Sequence, residues 1–500
     1  MSLNIQNLIH KIPEEVSRVT SKLEQGGFEA FLVGGCVRDI IMGRDPKDWD
    51  VTTNANPEEI IRLFEKTVYE NNFGTVLVIQ EDVSQETLRQ IEVTPYRTEA
   101  KYSDFRHPDE VKFSDKIEDD LKRRDFTVNS LALNSKGHLI DLFDGLKDIE
   151  KKTIRTVGNS DERFTEDALR ILRAIRFSVQ LDFSVSHETT ESIVKNRELL
   201  KNVSSERIRD EFTKIVMSNN PSMGIILLHK LGLLEYIIPE LEEGVKCEQL
   251  GEHIYDVWEH LLHALQHAAD KNWSLEIRLA ALMHDIGKPR TRRWDGTKAG
   301  GKGKYTFYGH EVVGARMAKK IMERLKFTKK EIELVESLVR NHMFFSDTEK
   351  ITLSAVRRII VKVGKENIWT LMNIRECDRV GMKKKEAPYR LRKYFAMIEE
   401  ALRDPISVGA LKIDGEFMIK ELNIKPSPRM GWMLHALLEE VLDDPNKNTI
   451  EYLESRILEL DKLNDADLKN LGEKGKEKKE ELEEGEIEKL HSKHGVQKKK

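Results

Sequence analysis

The sequence predicts an α+β protein: a small mixed α/β head over residues 1–149, then a mostly α-helical body. Short β-like apolar runs at 30–33, 74–80 (GTVLVIQ) and 88–93 (LRQIEV) alternate with helical patterns before residue 150. From Glu150 onward the apolar spacing is that of helices. The composition, 39% apolar and 34% charged over 500 residues, is that of a highly charged soluble chain. No stretch approaches the ~18 unbroken apolar residues of a spanning helix, so no membrane partner is expected. At roughly 100–200 residues per domain the length allows three or four domains.

Taken in order, apolar residues at helical spacing over 5–25 predict a first helix, stopped by Gly26-Gly27. The first strand leads into FLVGGCVRDIIMGRDPKDWDVTTN (31–54), where a glycine pair, Gly34-Gly35, precedes a helical pattern and then Asp48 and Asp50. Glycines let backbone N–H groups approach an anion with no Cβ in the way. Carboxylates at i and i+2 of a strand share a face and can hold a divalent metal beside a phosphate. Alone, each feature is commonplace; in the order strand, glycine pair, helix, Asp-x-Asp they read as a nucleotidyl-transfer site. Asn56-Pro57-Glu58-Glu59 is a helix start. Glu92 is either a third carboxylate for a two-metal site or an edge-strand residue facing water.

Residues 97–113 (RTEAKYSDFRHPDEVKF) read as a mobile polar loop. Arg123, Arg124 and Asp125 then run into FTVNSLAL, read as an apolar helix; they are either a triphosphate clamp or an ordinary charged helix start. In EDALRILRAIRF, Asp167, Arg170 and Arg173 fall on neighbouring parts of one helix face, where an i,i+3 ion pair is the plain alternative.

These motifs together, LVGGCVRDIIMGRDPKDWDVTT, RRDFTVNSLAL and DLFDGLKDIEKKTIRTVGNSDERFTEDALRILRAIRF, strongly resemble the bacterial class II tRNA nucleotidyltransferases, the CCA-adding enzymes. The related bacterial poly(A) polymerases share much of the pattern. The resemblance is dense over residues 28–215 and looser to about 460. It implies a polymerase-β-like head in which Gly34, Gly35 and Arg38 lie at the triphosphate, Asp48 and Asp50 hold Mg²⁺, and Glu92 is the third catalytic carboxylate. Arg123, Arg124 and Asp125 match the motif that contacts the incoming ribose and phosphates. Asp167 and Arg170 match the protein template that selects cytosine and adenine, with Arg173 and Arg176 continuing the nucleotide site. The run RTEAKYSDFRHPDEV resembles the flexible loop that switches the site from CTP to ATP.

The second half carries a different constellation. His260, His263 and His267 lie along one predicted helix, His284-Asp285 follows an apolar helix in LAALMHDIGKP, and His310, His342 and Asp378 come later. This resembles the HD superfamily of metal-dependent phosphohydrolases, and implies His260, His284, Asp285 and Asp378 as metal ligands. His310 and His342 stand where some members add ligands for a second ion. The mixed N and O ligands suit Mg²⁺, Mn²⁺, Ni²⁺ or Fe. Between them, residues 288–304 (KPRTRRWDGTKAGGKGK) form a basic, glycine-rich segment enclosing Trp294, read as a solvated loop or a nucleic-acid contact.

The predicted segments are therefore a nucleotidyltransferase head (1–149), a helical neck with the nucleotide template and RNA binding (150–244), an HD domain (245–399), a C-terminal helical segment (400–463) and a charged tail (464–500), read as a frayed helix or disordered segment. Three well-separated cysteines, Cys36, Cys247 and Cys377, and the absence of an apolar signal in the first residues suggest a reducing cytoplasm. The net charge of −5 leaves nucleic-acid binding to local patches. The expected function is addition of C, C and A to the tRNA 3′ end from CTP and ATP, with an HD phosphohydrolase in the same chain. Poly(A) addition is the second reading, and an RNA-binding protein with an inactive head the third.

Overall fold

The computed structural model describes residues 8–69, 74–81, 83, 85–100, 110–249, 253–296, 304–345, 351–382, 388–403 and 408–473. The chain divides into two compact units, Met1–Pro239 and Glu240–Lys500. In the first, the helical pattern predicted over 5–25 is interrupted: Leu8 and Ile9 are helical, the backbone breaks over residues 10–13, and a helix then runs Glu14–Gln25, while residues 5–7 lie outside the described ones. Pro13 is the reason: its ring disfavours helical backbone at the preceding residue. Val16, Val19 and Leu23 turn that helix onto the sheet's main core.

The head strands are β1 (Ala30–Val33), β2 (Asp50–Thr53), β3 (Thr67–Tyr69), β4 (Val76–Ile79), β5 (Gln90–Pro95), β6 (Arg97–Ala100), β7 (Glu110–Phe113), β8 (Leu131–Asn134) and β9 (Leu139–Asp141). Seven of them form one sheet in the order β3-β4-β5-β2-β1-β8-β9. β2 and β5 are parallel, with Asp50 opposite Glu92, while the other pairs in this sheet are antiparallel. Alternation then sorts the side chains: Val51, Ile91 and Val93 enter one core, and Asp50 and Glu92 point to the opposite face. That face has its own cluster of Phe31, Val33, Tyr96, Ile117, Leu121 and Ala132.

Two local readings change. Residues 97–113 are not simply a loop: β6 and β7 pair as an antiparallel ribbon from Arg97↔Phe113 to Ala100↔Glu110, and residues 101–109 lie outside the described ones. FTVNSLAL is not an α-helix either, but a short 3-10 turn at Thr127–Asn129 followed by a strand. The helix precedes it, at Ile117–Lys122, so Arg123 and Arg124 stand at a helix C-terminal end, and Leu131–Asn134 becomes β8 beside β1. Leu131 and Leu133 enter one core and Ala132 the other, a period-two use of a short apolar run. The helix start at Asn56 is as expected, with Asn56 and Glu59 closing a capping box on Pro57–Leu63.

Beyond the sheet, the helix Leu169–Leu181 is buried along most of its length and packs against Ser205–Val216 and Pro221–Lys230. The second unit is built of helices. Val257–Asp270, Leu275–Met283, His310–Arg324, Lys329–Asn341 and Ile368–Asp378 pack on one another, and a later set includes Pro428–Asp443 and Ile450–Leu460. The segment 288–304 contains a helical turn, Lys288–Thr291, and two paired strands, Arg293–Asp295 and Lys304–Thr306; residues 297–303 lie outside the described ones. At the start of the charged tail, Asp465–Glu473 is a helix that packs on Pro428–Asp443 and fully buries Leu468; residues 474–500 lie outside the described ones. No described helix is long and apolar enough to cross a membrane.

Leu133 is fully buried in β8 between β1 and β9. Leu133→Ala is expected to cost about 2–5 kcal/mol in urea unfolding followed by circular dichroism. A loss well under about 1 kcal/mol would contradict close packing of this strand.

Candidate active site

The glycine turn and the carboxylates of the head border one space. Gly34 has φ +81°, a left-handed conformation in which an L side chain is strained, and a Cβ there would lie 3.0 Å from Arg124 Nη1 and 3.7 Å from Asp50 Oδ2. A Cβ on Gly35, which opens the helix Gly35–Ile41, would lie 3.6 Å from Arg38 Nη2 and 3.9 Å from Asp48 Oδ1. Asp48 is not on the strand with Asp50 but in the turn leading into β2. The two carboxylates nevertheless act on each other. Burial, then Glu92, then Asp48 push Asp50 up to about 7, against the opposing pull of Arg124. Three acids gathered at a glycine turn are the electrostatic condition that a divalent cation relieves.

Behind the carboxylates lies a network of arginines. Arg38 donates to Asn129 Oδ1 at 2.5 Å, Asn129 donates to Asp125 Oδ1 at 3.2 Å, and Arg173 donates from Nε to Asp125 Oδ2 at 2.7 Å. Burial alone would raise Asp125, but Arg173 and Arg170 outweigh it and hold the acid at about 2. Arg38, Arg173 and Arg176 also surround the Phe177 ring at 5.5, 5.3 and 4.1 Å from its centroid. Arg176 donates to the buried Glu211 at 2.8 Å. Arg123 and Arg124 both bond Asp120, from Nε at 2.9 Å and from Nη2 at 3.0 Å.

The expected template residues do not share a helix face. Asp167 lies in the break between the helices Ser160–Glu166 and Leu169–Leu181, with extended backbone. Its carboxylate accepts from Arg207 Nη2 at 2.8 Å and not from Arg170. Arg170 instead donates to Glu166 at 2.6 Å and to the Arg123 carbonyl at 3.1 Å. Sequence reading missed Asp120, Asn129, Phe177, Arg207 and Glu211. The available signal was the cost of burying a charge: so many arginines in an apolar setting require acids nearby.

The second unit assembles the histidines. His260 lies on Val257–Asp270, His284-Asp285 follow Leu275–Met283, His310 opens His310–Arg324, His342 follows Lys329–Asn341 and Asp378 ends Ile368–Asp378. The ligand atoms of His260, His284, Asp285 and Asp378 all lie within 4.8 Å of one another, as do those of Asp285, His310 and His342. Asp285 links the two groups: Oδ2 is 3.4 Å from both His260 Nε2 and His284 Nε2, and Oδ1 is 3.3 Å from His310 Nε2 and 3.6 Å from His342 Nε2. His263 stacks on Tyr255 and His267 pairs with Glu376, so neither joins the cluster.

Each of the four histidines places Nδ1 against a backbone carbonyl: His260 on Val380 at 3.1 Å, His284 on Ala281 at 2.8 Å, His310 on Phe307 at 2.7 Å and His342 on Val339 at 2.7 Å. That arrangement fixes the tautomer and frees Nε2 as a donor atom to a metal. The fully buried Asp285 has no hydrogen bond to either carboxylate oxygen, and its nearest charge is the Lys288 ammonium at 2.6 Å from Oδ2. Burial and the neighbouring His284 hold His260 down at about 3. His284, despite burial, is pushed up to about 10 by Asp285 and Asp378. Both donor sets fit divalent metal. Gly287 is needed for the close approach: a Cβ there would collide with the His310 carbonyl and the Gly314 nitrogen.

A nucleotidyltransferase head followed, in a separate unit, by a histidine-aspartate metal cluster defines the class of protein. Family models agree: a poly(A) polymerase head domain matches residues 30–155, a probable RNA and SrmB-binding site of polymerase A matches 182–244, and an HD domain matches 257–380. The CCA-adding enzyme of Lactobacillus delbrueckii subsp. bulgaricus is 34% identical over 436 residues, 86% of this chain and 94% of that enzyme. The CCA-adding enzyme of Enterococcus faecalis is 46% identical over 231 residues, 46% of this chain and 55% of that enzyme. Among solved structures, the Bacillus stearothermophilus CCA-adding enzyme in complex with CTP is 25% identical with a TM-score of 0.67, covering 90% of this chain and all of that one. The chain belongs to the CCA-adding enzyme family.

Asp125 supplies a pH test of the arginine network. Folding lowers its pKa, so its stabilisation is complete above the usual carboxylate range and is lost as pH falls through about 2. Asp125→Asn should destabilise the protein by about 2 kcal/mol or more at pH 7, with the difference from wild type shrinking between about pH 4 and pH 2. A difference independent of pH would contradict the ionic role.

Proposed function

We propose that this chain builds and repairs the CCA end of tRNA, transferring CMP and AMP from CTP and ATP to the 3′-hydroxyl and releasing pyrophosphate. The observation that carries the reading is the placement of Asp48 and Asp50 at Gly34-Gly35, with Glu92 beside Asp50 across the parallel strand pair. It occurs in a chain that aligns over 86% of its length with a CCA-adding enzyme. In this reading residues 1–149 are the head, 150–244 the neck and 245–399 the HD domain, with residues 400–463 as the C-terminal helical segment.

Gly34 and Gly35 admit the triphosphate close to the backbone, and Arg38 and Arg124 supply the charge that holds it. Arg123 and Asp125 face the ribose and phosphates, and Arg173 and Arg176 complete the nucleotide site. Asp167 accepts from the exocyclic amino group shared by cytosine and adenine, while Arg170 donates to the adjacent ring nitrogen. Uracil and guanine present the reversed pattern and leave both side chains mispaired, at about 1–3 kcal/mol for each unsatisfied group. Arg207 and Glu166 hold the two selecting side chains in the free protein. Asp48, Asp50 and Glu92 would hold Mg²⁺ and the HD residues would hold Mg²⁺, Mn²⁺, Ni²⁺ or Fe. When bound, such ions activate an attacking oxygen and neutralise the leaving group.

The HD cluster supports a second activity, phosphoester hydrolysis, with His260, His284, Asp285 and Asp378 as ligands for one ion and Asp285, His310 and His342 for another. The three buried, unpaired cysteines favour the cytoplasm as the working compartment.

On a tRNA ending before CCA, the expected result is C addition with CTP alone, a complete end with CTP and ATP, and no addition with UTP or GTP. Asp48→Asn with Asp50→Asn should abolish addition while tRNA binding persists. Long A tails from ATP with CTP ignored would favour poly(A) synthesis instead, and addition that survives the double change would remove the metal assignment.

His284→Ala with Asp285→Ala should abolish hydrolysis of phosphate esters and leave CCA addition within about twofold of wild type, because the two chemistries use separate residues. Equal loss of both activities would contradict two independent sites.

A further inference from the structure

We propose that the paired strands Arg293–Asp295 and Lys304–Thr306 form a nucleobase platform for the HD cluster, presenting Trp294 to the base of a nucleotide whose phosphate is held beside Asp285. The inference rests on the phosphohydrolase reading and names its substrate class. The strand pair is inserted between two sets of cluster residues, His284-Asp285 before it and His310 after it. Both ends are anchored on that cluster. On the entering side, Lys288 lies 2.6 Å from Asp285 Oδ2 and 5.7 Å from the centre of the Phe307 ring. On the leaving side, the Phe307 carbonyl accepts from His310 at 2.7 Å through Nδ1.

The surface of the strand pair has the chemistry of a stacking site. Arg292 lies 3.6 Å above the Tyr305 ring, and Tyr305 meets Trp294 edge to face with centroids 4.9 Å apart, so the indole is braced from one side. The indole itself is 59% exposed, and Tyr308 nearby is 55% exposed. Braced by Tyr305 and exposed, the indole presents a ring on which a base can stack. Arg293, also exposed, adds positive charge beside it. Aromatic rings flanked by guanidinium groups bind single-stranded nucleotides with little preference among bases, because every base offers a π-face. A phosphate ester without a base would gain nothing from Trp294.

The test uses the full-length protein with its metals, and uracil probes are chosen because the head, in the proposed reading, selects cytosine and adenine. The probes are uridine 3′-monophosphate, ribose 5-phosphate and a short oligouridylate ending in a 3′-phosphate. In equilibrium dialysis, Trp294→Ala should weaken uridine 3′-monophosphate by about tenfold, leave ribose 5-phosphate within about twofold, and be rescued by Trp294→Phe. Uridine 3′-monophosphate should also quench tryptophan emission in wild type and not in Trp294→Phe. Weakening of the oligouridylate in parallel identifies an RNA 3′ end as the source of the base; weakening of the mononucleotide alone identifies a free nucleotide, and either supports the platform. Equal effects on uridine 3′-monophosphate and ribose 5-phosphate, or none on either, would overturn it. Base-dependent binding with no hydrolysis by wild type would remove the hydrolase reading and keep the platform, whereas hydrolysis with no base dependence would do the reverse.

Discussion

The parallel register of β2 on β5, with Asp50 opposite Glu92, is the constraint on which the head depends. A slip of β5 by one residue would turn Ile91 and Val93 out of the core and Glu92 into it, so packing on one face fixes the chemistry on the other. The result is a buried, crowded set of carboxylates, in which burial first and then Glu92 and Asp48 raise Asp50 to about 7. Such repulsion is tolerated because the sheet beneath is buried on both faces and cannot relax away from it. The same logic recurs in the second unit. There a fully buried Asp285, paired with the Lys288 ammonium, stands among four histidines whose other ring nitrogens are held by the backbone.

In the proposed reading, separate parts of the first unit carry reaction and selection. The carboxylates sit on β2, β5 and the turn before β2, whereas Asp167 and Arg170 lie at the junction of two helices. Between them runs the chain of contacts Arg38, Asn129, Asp125 and Arg173, which joins the glycine turn to the first turns of the helix Leu169–Leu181. A nucleotide bridging the two regions would meet its phosphates at one end of this chain and its base at the other.

Much of this was legible in the sequence, and the limits have physical causes. Period-two alternation could place Glu92 on a polar face, but only the long-range pairing of β2 with β5 decides that this face is also that of Asp50. The spacing of Asp167 and Arg170 suggested one helix face, yet the backbone breaks between them, and Arg207, on a later helix, takes the partner role. FTVNSLAL was too short for periodicity to distinguish strand from helix, and the vacant edge of β1 settled it as a strand. The histidine cluster was readable as a motif because its members are chemically distinctive. That Asp285 stands between two groups of ligands was not, since it depends on the packing of five helices.

The most direct test of the account is steady-state incorporation of CTP and UTP by Glu92→Gln. The account predicts that kcat for CTP falls by about two orders of magnitude or more while the preference for CTP over UTP is retained, because charge at the metal site and base selection are separate. Undiminished kcat, or loss of the base preference along with it, would contradict the assignment of Glu92 to the carboxylate set and the division of labour built on it.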